Sequence, residues 1–498
     1  MENKLYSYTI MPLFVEHLEE ICQDIKMQVD SGIANCALFC MTLVPEGNPP
    51  ADKAKILCEK SKHIDLSSVQ LLEALKEERR IDILCENGKR CEELIYNLRK
   101  DNDCEWLFVA RAKYPENTKF EPTLVNKLVI KAYGKYTPVL YDTLSGEIRE
   151  ISYKVKGGIT EIYHTVYEND SLLIKLLPET KAENKIKCEK NMTDKIEYLG
   201  EVSYRREEPN VYLLDMAKYS LDGGAECDAE ELLRIDTAVR EKLGFIPANG
   251  RDVQPWLIEK EVPSHFVSLK FEIPSNTEVK DTYLAFEEAE EITLNGKKID
   301  IKPCGYFVDE AIHKIALGDI KKGMNILTVK VPVTNRLGLE NMFLLGEFDV
   351  SVKGMIKTIE EKNDRIAFSS VTGQGLPFYG GNVVYETEIE TPECCLEIEV
   401  SQYKGTLVGV KLDDGEEKNI AFSPYKAEFE NVSAGRHKIS FTLYGNRINT
   451  FGALHNCTGY AWGGPHMWYA KNSDWSYEYF TDPMGILKSP VIRMHKKN

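Results

Sequence analysis

Three of the five tryptophans fall within fourteen residues, in a stretch reading NRINTFGALHNCTGYAWGGPHMWYAKNSDWSYEYF. It holds Trp462, Trp468 and Trp475, with Tyr479, His455 and His466 interleaved, and it opens on Asn446 and Arg447. Flat aromatic faces suit the C–H faces of sugar rings. Amide, imidazole and guanidinium groups around them can fix hydroxyls in a set pattern. These eight residues are the candidate carbohydrate contacts. Packing is the plainer use of the same side chains: large aromatics closing the end of a sandwich, and Asn446 and Arg447 tying down a strand end.

Carboxylates are too numerous to single out by type. A glycosidase needs two of them roughly 5 to 9.5 Å apart on a rigid frame. Glu46 follows an apolar strand of the kind that carries active-site groups in barrel enzymes. Glu340 and Glu347 flank ENMFLLGE and read as exposed or capping residues. The sequence contains no G-x-S-x-G, P-loop, H-E-x-x-H or dinucleotide fingerprint. Gly373-Gln374-Gly375 lacks a third glycine, and Asp413-Asp414-Gly415 reads as a hairpin turn rather than a calcium ligand set. No catalytic residue, metal site or cofactor is assigned.

The frame for these groups is a repeat. Glu291–Gly338 and Gly409–Gly452 share five ordered features. An alternating strand reaches a Gly turn (Asn295-Gly296; Asp414-Gly415), and a Tyr-bearing segment follows (Tyr306; Tyr425). A second turn closes on Gly323 or Gly435, a strongly alternating strand comes next, and Asn-Arg ends the unit (Asn335-Arg336; Asn446-Arg447). Period-two alternation marks strands with one buried face, and such turns mark hairpins. Two related β-sandwiches in tandem are expected, over 196–355 and 356–498. The first carries a helical insert, AECDAEELLRIDTAVREKLG, with Asp228 as its cap and Gly244 as its stop.

Towards the N-terminus the pattern changes. Residues 1–65 read as helix, apolar strand (Cys36 to Val44) and helix, the pattern of a parallel strand covered on both faces. Residues 66–115 read as a small α/β unit with a helix over KRCEELIYNLRK. Residues 116–180 read as a separate β-sandwich, and 179–195 as a polar linker. The fold class expected is mainly β, tandem jelly-roll sandwiches with a smaller N-terminal α/β part.

The totals narrow the partners. With 79 Asp+Glu against 62 Lys+Arg, the chain is a poor binder of nucleic acid or anionic membrane. The thirteen cysteines show no C-x-x-C pair, which favours reduced thiols and a cytoplasmic setting. No signal peptide and no run of about 18 apolar residues is present.

The segments EEITLNGKKI and IKKGMNILTVKVPVTNRL resemble the galactose-binding-like sugar-binding sandwich of glycoside hydrolase family 2 and of bacterial α-L-rhamnosidase-like proteins. LENMFLLGEFDV, LPFYGGNVVYE and LYGNRINTFGALHN with its WGGPHMW ending resemble a second sandwich in such proteins. Residues 1–60 are similar to the opening of their catalytic barrel, which runs to about 250 residues and eight strand–helix units when whole. The resemblance implies a carbohydrate-binding, hydrolase-like protein lacking most of that barrel. An active glycosidase and a structural protein that assembles as a homo-oligomer are the alternatives.

Overall fold

The computed structural model describes residues 79–112, 126–167, 170–178, 185, 192–246, 257–458 and 472–496. The expected barrel-like fragment, Glu46, Trp462, His466 and Trp468 lie outside them. The chain divides into two compact units, Met1–Glu189 and Lys190–Asn498. The described structure is mostly β, as expected, and built of antiparallel sheets.

The described residues of the first unit form one β-sandwich. Ile81–Cys85, Asn126–Tyr133, Ile159–Val166 and Ser152–Lys156 form one sheet in that order. Leu94–Lys100, Glu105–Arg111, Ser171–Pro178, Tyr136–Tyr141 and Ile148–Glu150 form the other. The helix expected over Lys89–Lys100 is a strand there, paired from Leu94↔Arg111 to Lys100↔Glu105. Leu94, Tyr96 and Leu98 alternate towards the shared core, so period two prevails over the i, i+3, i+4 spacing that Cys91, Leu94, Ile95 and Leu98 also satisfy.

The second unit holds two sandwiches of matching topology. In the first, one sheet runs Cys227–Glu231, Met216–Leu221, His265–Ser275, Gly323–Val333, Glu291–Leu294, Lys297–Lys298. Its counterpart runs Arg365–Ile366, Val202–Arg206, Val383–Thr391, Gly435–Tyr444, Leu407–Leu412, Lys418–Ile420. The facing sheets also match. Asn210–Leu214, Met342–Gly346, Val279–Phe286 and Asp309–Ile320 correspond to Met192–Ile196, Val491–Lys496, Cys394–Glu399 and Lys426–Val432.

The repeat is nested rather than serial. Strands Met192–Ile196 and Val202–Arg206 belong to the second sandwich, yet they precede the whole of the first. Strand Ile356–Glu360 belongs to the first, where it pairs with Asp349–Lys353. Hydrophobic periodicity identifies strands but not their partners, so a cut at 355/356 does not follow the packing.

The repeated motifs have a common physical job. Asn295 and Gly296 both take positive φ, 52° and 77°, at a two-residue hairpin turn. The Asn295 side chain accepts from Ile326 N at 2.9 Å and donates to Asn325 Oδ1 at 2.9 Å; Asn325 in turn donates to the Lys321 carbonyl at 2.7 Å. In the second copy Asp413 (φ 50°) accepts from Lys438 N at 2.8 Å and meets His437 Nδ1 at 2.7 Å. His437 Nε2 reaches the Ser433 carbonyl at 3.0 Å. Asn–Asn and Asp–His are therefore two chemical versions of one clasp between adjacent turns.

Helix α1, Leu232–Leu243, is the expected insert, with Gly244 left-handed at its end (φ 69°). Its cap is Glu231, not Asp228. Asp228 lies in strand Cys227–Glu231, and the Glu231 carboxylate accepts from Arg234 N at 3.0 Å. Ile235 and Val239 are buried in the first sandwich's core, and Asp236 pairs with Arg240 at 2.7 Å beneath them.

Candidate functional site

A recess of about 220 Å³ opens where α1 and the first sandwich meet the loops of the second. Leu213, Ile312, Phe343, Phe451 and Leu454 make its apolar wall. Asp215, Glu231, Glu287, Glu340, Asn341, His455 and Trp475 supply its polar groups.

Asp215 sits at the floor, 2 % exposed, directly after the wholly buried strand Asn210–Leu214. An ionised carboxylate there needs partners, and it has three. Lys357 Nζ contacts Oδ1, Tyr479 Oη donates to Oδ1 at 2.8 Å, and His455 Nε2 lies 3.2 Å from Oδ2. Lys357 also donates to the Leu213 carbonyl at 2.6 Å and lies 4.7 Å from the Tyr479 ring centre. Burial alone would raise the Asp215 carboxyl, but Lys357 and then His455 hold it well below the usual carboxylate range. The Tyr479 hydroxyl is pushed far up, by burial first and by Asp215 second.

Glu231 is the opposite case. Its burial, and then the Asp215 charge, push it up to about 7. The group therefore carries its proton well above the ordinary carboxyl range. A folded value above the unfolded one means stability present at low pH and lost as pH rises. The loss falls between about 4.5 and 7, at about 1.4 kcal/mol per pH unit. Urea midpoints at pH 5 and 7.5 should show this difference, and Glu231→Gln should remove its share; an unchanged pH slope in the variant would contradict the assignment.

Glu287 and Glu340 stand at the mouth, in contact with solvent. Neither forms a hydrogen bond or ion pair with another described residue. Glu340 is raised by the protein wall around it and then by Glu287 and Asp236. Asn341 Oδ1 is buried without a donor. Among the described residues, these acids do not converge at metal-ligand spacing; the three residues that do, Asp101, Asp103 and Cys104, lie in the other unit.

No family model and no curated relative matches the chain. Solved structures it is similar to include glycoside hydrolases. It is similar to a rhamnosidase from Novosphingobium sp. PP1Y, with TM-score 0.38 and 10% identity over 94% of this chain and 30% of that one. It is similar to a GH2 beta-galacturonidase from Eisenbergiella tayi, with TM-score 0.18 and 12% identity over 48% and 36% of the two chains. A beta-glucuronidase from Ruminococcus gnavus gives TM-score 0.18 and 12% identity over 48% and 39%. The chain spans less than two fifths of the length of each.

Of the eight residues drawn from the sequence, the structure brings His455, Trp475 and Tyr479 together at this recess. Trp475 is half-buried against its neighbours. The Arg234 guanidinium lies 4.2 Å from its ring centre, His455 at 5.4 Å and Tyr477 at 4.4 Å. Asn446 and Arg447 serve the chain itself. Asn446 Oδ1 accepts from Ile448 N at 3.1 Å, and Arg447 forks onto Glu208 at 2.6 and 2.8 Å. Asp215 and Glu231 were not singled out from sequence. Asp215 had a signal, an acid ending the continuously apolar run VYLL; Glu231 had none beyond its neighbours. Glu340, read as exposed or capping, is exposed and lines the mouth.

Proposed function

We propose that the recess is a carbohydrate site and that it takes a neutral sugar ring. One observation carries the reading: its walls are apolar and its uncommitted polar groups are acceptors. Among the described residues, Glu287, Glu340 and Asn341 Oδ1 lack partners, while the nearby cations are committed elsewhere, Lys357 and His455 to Asp215 and Arg240 to Asp236. A ligand rich in hydroxyl donors answers that inventory. At about 220 Å³ the space falls below the roughly 300–1,000 Å³ of sites for drug-sized ligands, so it admits one ring rather than a chain.

A uronate would bring a further carboxylate against acids that already raise one another, Glu287 and Asp236 acting on Glu340 and Asp215 on Glu231. Titration with methyl rhamnoside and methyl galactoside, followed by Trp fluorescence and calorimetry, should give saturable binding. Methyl glucuronide and galacturonide should bind at least tenfold more weakly, about 1.4 kcal/mol. Equal affinity for uronates, or no response to any neutral sugar, would defeat the reading.

Glycoside hydrolysis is the second reading, and the Glu231 carboxyl favours it, since an acid near neutrality beside other carboxylates is what such chemistry uses. Turnover of aryl glycosides, lost in Glu231→Gln with folding intact, would establish it.

A further inference from the structure

We propose that His455 is a pH-operated latch that holds the Trp475 side of the recess against its Asp215 floor. The inference rests on the recess being the ligand site and adds how that site is regulated.

Every acceptor around the His455 ring asks for a proton. Nδ1 faces the Ser476 carbonyl at 2.8 Å and the Glu478 carbonyl at 3.3 Å. Nε2 faces an Asp215 carboxylate oxygen at 3.2 Å. A backbone carbonyl and a carboxylate only accept, and a neutral imidazole has one N–H. The arrangement is complete only with both nitrogens protonated.

The two sides of the ring belong to different sandwiches. Asp215 ends a strand of the first, whereas His455, Ser476 and Glu478 lie on the loops between the last two strands of the second. Trp475 lies between the His455 ring, centre to centre at 5.4 Å, and Arg234 of α1. When the imidazolium loses a proton, Nδ1–H can stay on Ser476, but the Nε2 lone pair then faces the Asp215 carboxylate. That contact turns from attraction to repulsion. Tyr479 still donates to Asp215, so the wall loosens at Trp475 without leaving altogether.

The surrounding charges set the sign. Burial and Lys357 disfavour the imidazolium; Asp215 and Glu231 favour it and prevail, raising the group above its ordinary value. Arg234 acts on the far partner, over Trp475 and paired with Glu230. The latch is closed at low pH and opens as pH rises through the raised value.

Acrylamide quenching of the full chain from pH 5.5 to 9, with Trp475→Phe identifying the Trp475 contribution, tests this without any sugar. Expected is a rise of about twofold in Trp475 quenching, with a midpoint above roughly 6.5 that matches the His455 ring titration by NMR. His455→Gln should abolish the transition. Glu231→Gln should keep it but move the midpoint down, because a favouring carboxylate is gone. Should His455→Gln fail to fold, the wild-type titration and Glu231→Gln still decide. A flat quenching profile, a His455 midpoint below 6.5, or a transition that vanishes in Glu231→Gln would overturn the latch. A transition seen without a response to methyl rhamnoside at either end of the range supports the latch and sinks the sugar reading alone.

Discussion

Replacing Asp215 by alanine should destabilise the Lys190–Asn498 unit by about 3–5 kcal/mol, because it leaves the Lys357 ammonium buried without its counter-charge. The same change strips His455 and Tyr479 of their shared acceptor. Folded domains hold only about 5–15 kcal/mol in all, so the variant should lie near the edge of folding. Removing the cation as well should repair most of the damage. Asp215→Ala with Lys357→Met leaves no orphan charge, and the two changes should be strongly non-additive. Guanidinium midpoints of the parent, both single variants and the double variant measure this directly. A single Asp215→Ala variant within 1 kcal/mol of the parent, or a double variant no better than the single, would mean the quartet does not hold the floor.

Gly445→Ala should cost about 3 kcal/mol, the upper end of what overpacking costs. A Cβ at Gly445 would lie 2.2 Å from the Gly381 carbonyl oxygen and 2.5 Å from that of Gly380, both backbone atoms with nowhere to go. Two chain segments cross there with no room for a side chain. Gly445 N donates to Asn382 Oδ1 at 3.2 Å, and the next turn places Arg447 on Glu208. The strain should therefore reach the Arg447–Glu208 fork as well. Gly373→Ala is the control: a Cβ there meets nothing within 4 Å, so its effect should stay within about 0.5 kcal/mol. Thermal melts of the two variants side by side settle the comparison; similar midpoints would show that the crossing yields more easily than its geometry implies.

These two positions show how far the sequence could be read. The glycines of LPFYGGNVVYE and LYGNRINTFG stood out as motifs, yet their reason is a contact between segments more than sixty residues apart. Strand periodicity, the Asn295-Gly296 turn and α1 were legible because local chemistry decides them. The Leu94–Lys100 strand was misread because its apolar residues satisfy both periods, and only pairing with Glu105–Arg111 chooses between them. The recess was harder. His455 is far in sequence from Asp215 and Glu231, and nothing local says that one acid is held ionised while another keeps its proton. That difference comes from Lys357, whose place opposite Asp215 is set by the fold.

The nesting of the sandwiches has a consequence for synthesis. As the chain leaves the ribosome, Met192–Ile196 and Val202–Arg206 emerge first and find no mates, while everything needed for the inner sandwich follows at once. The pair must wait until Val383–Thr391 and finally Val491–Lys496 arrive, and that last strand slots between Met192–Ile196 and Cys394–Glu399. The outer module thus stays open until Val491–Lys496 has been made, and until then its raw edges are open to capture by another nascent copy.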